Sequence, residues 1–479
     1  MSQASDMRRR VSLVLILAAV GIIAGYVLRG DGETPAIFGR RPAGYAQLVS
    51  IQPLPLMDEV MDGMDGVMCE WAPASSSTPL MASLLQERQS GGAAAQSADP
   101  DRRAEAAQRD PVRVIRDSYA LYSAVAVDPI RNEVVLTDEN LFNIMVYDRL
   151  DNTPPSAAMS EPKRMIGGLK TKIEFQCGLY IDPASGDIYA VNNDTIDTLV
   201  IFGRQAKGDV PPDRELYTPH GTFGIAVDEA NQELFLTIQH DNAVVVYEKM
   251  AEGDDAPIRL LQGNHTLLAD PHGIAVDTKN DLIFITNHGS IRQIHADIES
   301  EAASWMRSSE KENWPLTQDK TVPGSGRIVP SSITVYSRTA SGDAAPLRTI
   351  TGPNAQLNWP SGIAIDSERG EMFVANDAGD SVLVFRTSAS GNEAPIRVLK
   401  GPKSLIKNPT SVHLDLENDE LWVANFGNHT ATVYKRTAAG DTAPLRVIRS
   451  APLDQPVLGI SNPGSVAYDS KREEILVPN

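Results

Sequence analysis

The strongest constraint in this sequence is an internal repeat. A short, mostly apolar run ending in aspartate occurs as Ala124-Val-Ala-Val-Asp128, Gly178-Leu-Tyr-Ile-Asp182, Gly224-Ile-Ala-Val-Asp228, Gly273-Ile-Ala-Val-Asp277, Gly362-Ile-Ala-Ile-Asp366, Ser411-Val-His-Leu-Asp415 and Ser465-Val-Ala-Tyr-Asp469. The aspartates are spaced by 54, 46, 49, 89, 49 and 54 residues. A fixed period of this size marks an architecture in which each unit buries its apolar faces on its neighbours. Each Asp is followed by a second β-rich run, such as Leu234-Phe-Leu-Thr237 or Met372-Phe-Val-Ala375, and then a third, such as Ala243-Val-Val-Val-Tyr247 or Ser381-Val-Leu-Val-Phe385. A Gly-Asp or Gly-Asn turn comes next, as at Gly208-Asp209, Gly253-Asp254, Gly342-Asp343, Gly391-Asn392 and Gly440-Asp441. A Pro-x-Arg segment closes the unit, from Pro111/Arg113 to Pro444/Arg446.

Short β-branched and aromatic runs punctuated by Gly, Asn, Asp and Pro read as antiparallel strands. Four such strands in about fifty residues make one blade of a β-propeller. Proline at the start of the fourth strand suits an outer edge, where no ladder donor is needed. The fold expected is therefore all-β, a seven-bladed propeller. Its last blade would combine the carboxyl-terminal strands with strands from near Arg113 and Pro79–Glu87, so that the two chain ends close the ring. The alternative is six blades, if those terminal strands form no blade. The 89-residue spacing holds an insertion at about 293–331, within the fourth blade and after its second strand.

Ahead of the repeat, Arg8-Arg-Arg10 precedes an uncharged stretch from Val11 to Leu28. As a helix this stretch would be ~27 Å long, close to the ~30 Å apolar core of a bilayer. Arginines on its amino side predict a cytoplasmic tail at 1–10, an anchor at 11–28 and a propeller exported across the membrane. A cleaved signal peptide is the rival reading. Residues 29–78 read as a flexible tether and 79–479 as the propeller with its insertion. The net charge of −19, from 43 Lys and Arg against 62 Asp and Glu, argues against nucleic acid as a partner. Two cysteines, Cys69 and Cys177, are too few for a disulfide scaffold or a four-thiolate zinc site, and spacing does not show whether they pair. Met57, Met61, Met64 and Met68 with Cys69 form a soft-ligand stripe whose commoner reading is an amphipathic packing face.

The Pro-x-Gly-Ile-Ala-x-Asp starts, as in Pro271–Asp277 and Pro360–Asp366, followed by Phe-x-x-Asn and Ser-Val-x-Val-Phe, resemble the NHL-repeat and lactonase-like β-propeller proteins of bacteria. The resemblance covers about residues 110–479. It implies the fold, whereas the same scaffold hosts lactonases, lyases, dehydrogenases and plain binding proteins. The family lactonases hold a divalent cation with Glu, Asn and Asp in the central channel, and those ligands do not map residue by residue onto this chain. Lyases of this fold use metal-bound histidine.

The seven repeated aspartates read as structural residues, each accepting backbone N–H groups in the hairpin that follows. The repeated arginines and the asparagines Asn192, Asn287, Asn376 and Asn425 read the same way. Residues that break the repeat carry more functional information. His220 and His272 each follow a proline and precede a glycine at the start of a first strand, while His240 and His288 follow second strands. These four are the candidate ligand-binding residues at the channel mouth, with His220 and His272 expected to approach from adjacent blades. No catalytic set, metal ligand set or cofactor is assigned, although a divalent cation fits a histidine pair. The function expected is a membrane-anchored, exported binding platform for a protein or small-molecule ligand. The alternative is a metal-dependent lactonase or lyase acting at the channel mouth.

Overall fold

The computed structural model describes residues 117–193, 196–291 and 326–458, together with the backbone of two strands at 467–469 and 474–476. Expectations for the cytoplasmic tail, anchor, tether, methionine stripe, Cys69, Arg113 and the Pro79–Glu87 strand fall outside the described residues, as does most of the insertion. Among the described residues, no helix is long and apolar enough to cross a membrane.

Six four-stranded antiparallel sheets follow one another along the chain. Blade 1 holds β1 (Tyr122–Asp128), β2 (Glu133–Asp138), β3 (Asn143–Asp148) and β4 (Arg164–Gly167). Blade 2 holds β5 (Gln176–Ile181), β6 (Ile188–Asn192), β7 (Thr198–Phe202) and β8 (Arg214–Tyr217). Blade 3 holds β9 (Thr222–Asp228), β10 (Glu233–Ile238), β11 (Ala243–Glu248) and β12 (Arg259–Gln262). In blade 4, β13 (Pro271–Asp277) and β14 (Leu282–Asn287) are followed by a two-stranded stem of β15 (Ser290–Ile291) and β16 (Arg327–Ile328), and the sheet then resumes with β17 (Ser332–Ser337) and β18 (Arg348–Thr351). Blade 5 holds β19 (Pro360–Asp366), β20 (Glu371–Asn376), β21 (Ser381–Arg386) and β22 (Arg397–Leu399). Blade 6 holds β23 (Pro409–Asp415), β24 (Glu420–Asn425), β25 (Thr430–Lys435) and β26 (Arg446–Arg449). A separate pair, β27 (Ala467–Asp469) and β28 (Glu474–Leu476), forms its own small sheet.

Each strand is apolar on both faces because each blade packs between two others. On β2 and β3, Val134, Leu136, Met145 and Tyr147 pack toward Trp422, Ala431 and Val433 of blade 6. The alternate residues Val135, Ile144 and Val146 pack toward Ile188, Ala190, Val200 and Phe202 of blade 2. Inner strands approach so closely that glycine is required near their starts. A Cβ on Gly273 would lie 2.2 Å from Ser361 O of the next blade, and one on Gly224 would lie 2.2 Å from His272 O. At the outer edge the chain turns through glycines with positive φ, such as Gly342 (φ 61), whose Cβ would meet nothing. Backbone conformation, not space, demands glycine there.

The ring closes with six blades, which corrects the expectation of seven. Blade 6 meets blade 1 directly. Thr410 Oγ1 donates to Ser123 O at 2.7 Å, Val125 N donates to Ser411 Oγ at 3.3 Å, and Thr153 N donates to Val447 O at 2.7 Å. Arg149 pairs with Glu420 at 2.9 Å, the same inter-blade linkage that Arg338 makes with Glu233 and Arg436 makes with Glu371. Trp422 is fully buried in that junction. These contacts leave no gap for a seventh blade, and the β27–β28 pair is not a member of the six sheets.

Candidate channel-mouth site

Each inner strand pairs at its start with the end of the second strand of its own blade, as Pro271 does with Asn287. These two ends of every blade therefore lie at one mouth of the ring. A β-bulge interrupts each inner strand here, between Tyr122 and Ala124, Gln176 and Gly178, or Pro271 and Ile274, for example. Bulges re-aim the residue they carry. The second residue of the inner strand is Ser123, Cys177, Phe223, His272, Ser361 and Thr410 in turn. In blades 1, 3 and 4 a threonine of the second strand fixes the bulge: Gly273 N donates to Thr286 Oγ1, which in turn donates to Ser361 O of the next blade. Thr237 does the same between Gly224 N and His272 O.

The residue just before the inner strand is held in the left-handed region in four blades, at Gly221 (φ 77), Asp270 (φ 58), Trp359 (φ 53) and Asn408 (φ 40). Glycine, Asp and Asn adopt this conformation readily, whereas for tryptophan it is an outlier costing about 1–3 kcal/mol. Trp359 is also 56% exposed. Its ring stacks on His288 (centroids 5.2 Å apart, planes 20° apart). His288 stacks on His272, and His272 meets Phe223 at 4.2 Å. Four rings from blades 3, 4 and 5 thus form a continuous wall. The other half of the mouth is acidic and polar. Cys177 donates its thiol to Glu139 Oε1 at 3.1 Å, and Asp377 follows β20 on the far side.

Burial governs the electrostatics. It lowers the His272 imidazole to about 3, against the raising effect of its bond to the Asp270 carbonyl, and lowers His288 to about 2 with help from His272. Both rings are neutral at physiological pH. Burial also raises Asp270 to about 6 and Glu139 to about 7, the latter reinforced by Asp138 and Asp377 and opposed by the thiol of Cys177. His272 Nδ1 lies 3.0 Å from Asp270 O, which assigns the proton to Nδ1 and a lone pair to Nε2. That lone pair faces Gln239 Nε2 at 2.7 Å, and Gln239 Oε1 is itself held by Asn193 at 2.9 Å. His288 Nε2 is buried with no hydrogen-bond partner among the described residues. An orphan of this kind costs about 1–3 kcal/mol. Donor atoms of Asp270, His272 and His288 all lie within 4.8 Å of one another.

The four histidines expected at the mouth are all placed there, but paired within blades. His220 stacks on His240 in blade 3 (centroids 5.0 Å apart), and His220 Nδ1 lies 3.1 Å from Asp197 Oδ1. His272 gathers with His288 and Asp270 of its own blade, not with His220. The repeated aspartates sit at the opposite end of the strands. Asp128, Asp182, Asp228, Asp277, Asp366 and Asp415 each accept backbone N–H groups from the hairpin that follows, for example Ala230 N and Asn231 N at Asp228. The side chain of Asp469 is outside the described residues. The asparagines ending the second strands accept from the connector leading into the inner strand, as Asn287 does from Ala269 N and Asn376 does from Asn358 N. Sequence reading missed Asp270, Gln239 and Trp359. The same slot holds Leu121 and Phe175 in blades 1 and 2, so Trp359 carried no signal in the sequence; its cost is seen only in the backbone conformation.

No family model matches the chain, and no curated protein matches it significantly. Among solved structures, hydrazine synthase of Kuenenia stuttgartiensis is similar at 12% sequence identity and a TM-score of 0.43, over 69% of this chain and 99% of that one.

Proposed function

We propose that the channel mouth is a non-catalytic ligand-binding platform, on an exported, membrane-anchored propeller of the NHL-repeat kind. One observation carries the reading: Trp359 is held in a conformation costly for tryptophan, exposed, and stacked on an imidazole wall. The fold sets this conformation in the slot but does not call for a tryptophan in it, and a costly, exposed residue kept there points to use. A flat ligand group would lie against the exposed ring of Trp359 through offset stacking. The cytoplasmic tail, anchor and extracytoplasmic location rest on the arginine-flanked apolar segment alone.

The test is a titration of Trp fluorescence in the full-length chain with three probes: benzoate, benzyl alcohol and benzyltrimethylammonium. Saturable quenching by at least one probe is expected, weakened at least tenfold by Trp359→Ala. Unsaturable quenching by all three, or equal binding by the variant, overturns the reading. The competing reading, a metal-dependent lactonase or lyase, is favoured by the Asp270–His272–His288 cluster. Turnover of a lactone panel by the metal-supplemented protein would establish it over the non-catalytic one.

A further inference from the structure

We propose that Asp270, His272 and His288 form a mononuclear site for a zinc-class divalent cation, with a remaining coordination position open toward Trp359. Two imidazoles and a carboxylate suit zinc and similar borderline cations, whereas calcium and magnesium prefer all-oxygen sets. Three protein ligands with an open position are the arrangement of exchangeable sites, not of closed structural ones.

Several independent features of the cluster point the same way. His288 Nε2 is buried without a hydrogen-bond partner among the described residues. The Asp270 carbonyl fixes the His272 proton on Nδ1, the second-shell device that presents the other nitrogen to a metal. Gln239 lies against His272 Nε2 and 3.5 Å from Asp270 Oδ1, in the position of a group that yields to an ion. Tetrahedral zinc needs its donors about 3.4 Å apart. The donors here lie within 4.8 Å of one another, and reaching the zinc separation requires Asp270 and His288, both partly exposed, to shift, His288 within its stack against His272.

The open position selects the ligand. A planar molecule stacked on Trp359 with an oxygen donor at its edge, such as an aromatic carboxylate, would complete the coordination. This second half rests on the platform reading, whereas the metal site does not.

The experiment uses the full-length chain, stripped with a chelator and titrated with Zn²⁺ by calorimetry, with Co²⁺ absorption as the spectroscopic readout. One equivalent of Zn²⁺ is expected. His288→Asn and Asp270→Asn should each weaken it at least tenfold, with His220→Asn unchanged. Circular dichroism confirms that each variant folds, and His288 and Asp270 are chosen because neither is fully buried. Absence of stoichiometric Zn²⁺ binding, or binding unaltered in both variants, overturns the site. Benzoate should then bind at least tenfold tighter to the Zn²⁺-loaded chain. Zn²⁺ binding without that gain overturns the ligand assignment alone. Trp359-dependent benzoate binding without Zn²⁺ binding sinks the metal site and leaves the platform standing. Zn²⁺ binding with benzoate indifferent to Trp359→Ala does the reverse.

Discussion

At the scale of single residues, repeat positions and mouth positions obey different physics. Asp366 is wholly buried and accepts Arg369 N at 3.1 Å, so its chemistry is spent on the fold. Trp359 satisfies no such need. Glu139 is an intermediate case, and its titration gives a prediction. Burial, with Asp138 and Asp377, holds it near 7, well above an ordinary glutamate, while Cys177 opposes the shift. The raised group is protonated in the fold when it is already ionised in the unfolded chain. Its contribution is therefore full below about pH 4.5 and is lost as pH rises toward about 7. Glu139→Gln should flatten the stability profile across that window, by about 2 kcal/mol once solvent access at the mouth is allowed for. Chemical denaturation at pH 4.5 and 7.5 measures it, and an unchanged slope would contradict the assigned burial. The four histidines were legible because they interrupt a repeat. Asp270 was not, since an Asp before a proline reads as ordinary turn chemistry.

At the scale of the element, the unit is a hairpin with a cap at one end and a bulge at the other. The cap was legible, because an Asp after an apolar run predicts a side chain bonding to the backbone two or three residues on. The bulge was not. It depends on Thr237 and Thr286, and on Ser123 beside Thr137, reaching a neighbouring blade, a contact that no single strand contains. Asp366→Ala removes a buried acceptor that also faces Arg369 at 3.0 Å and Arg436 at 3.7 Å. A loss of about 1–3 kcal/mol is expected. Calorimetric unfolding would show it as a midpoint several degrees lower, and an unshifted midpoint would mean the caps are dispensable.

At the scale of the whole molecule, repeat counting found the architecture and overcounted the ring. Seven copies of the apolar-Asp run suggested seven blades, yet the copies cannot say which neighbours touch. The count was settled by Arg149 on Glu420 and by Trp422 against blade 1. A chain ending at Leu458 should therefore keep a cooperative transition with its midpoint within about 2 °C of the full chain. A large drop would restore the terminal strands to the ring. The central claim is that the repeat builds the ring while the residues breaking it at the mouth bind. One measurement tests that division: benzoate affinity and thermal midpoint determined together for Trp359→Ala and for Asp366→Ala. The account predicts that Trp359→Ala loses binding and keeps its midpoint, and that Asp366→Ala keeps binding and loses midpoint. Binding lost in Asp366→Ala at a temperature where it is folded, with Trp359→Ala binding normally, would contradict it.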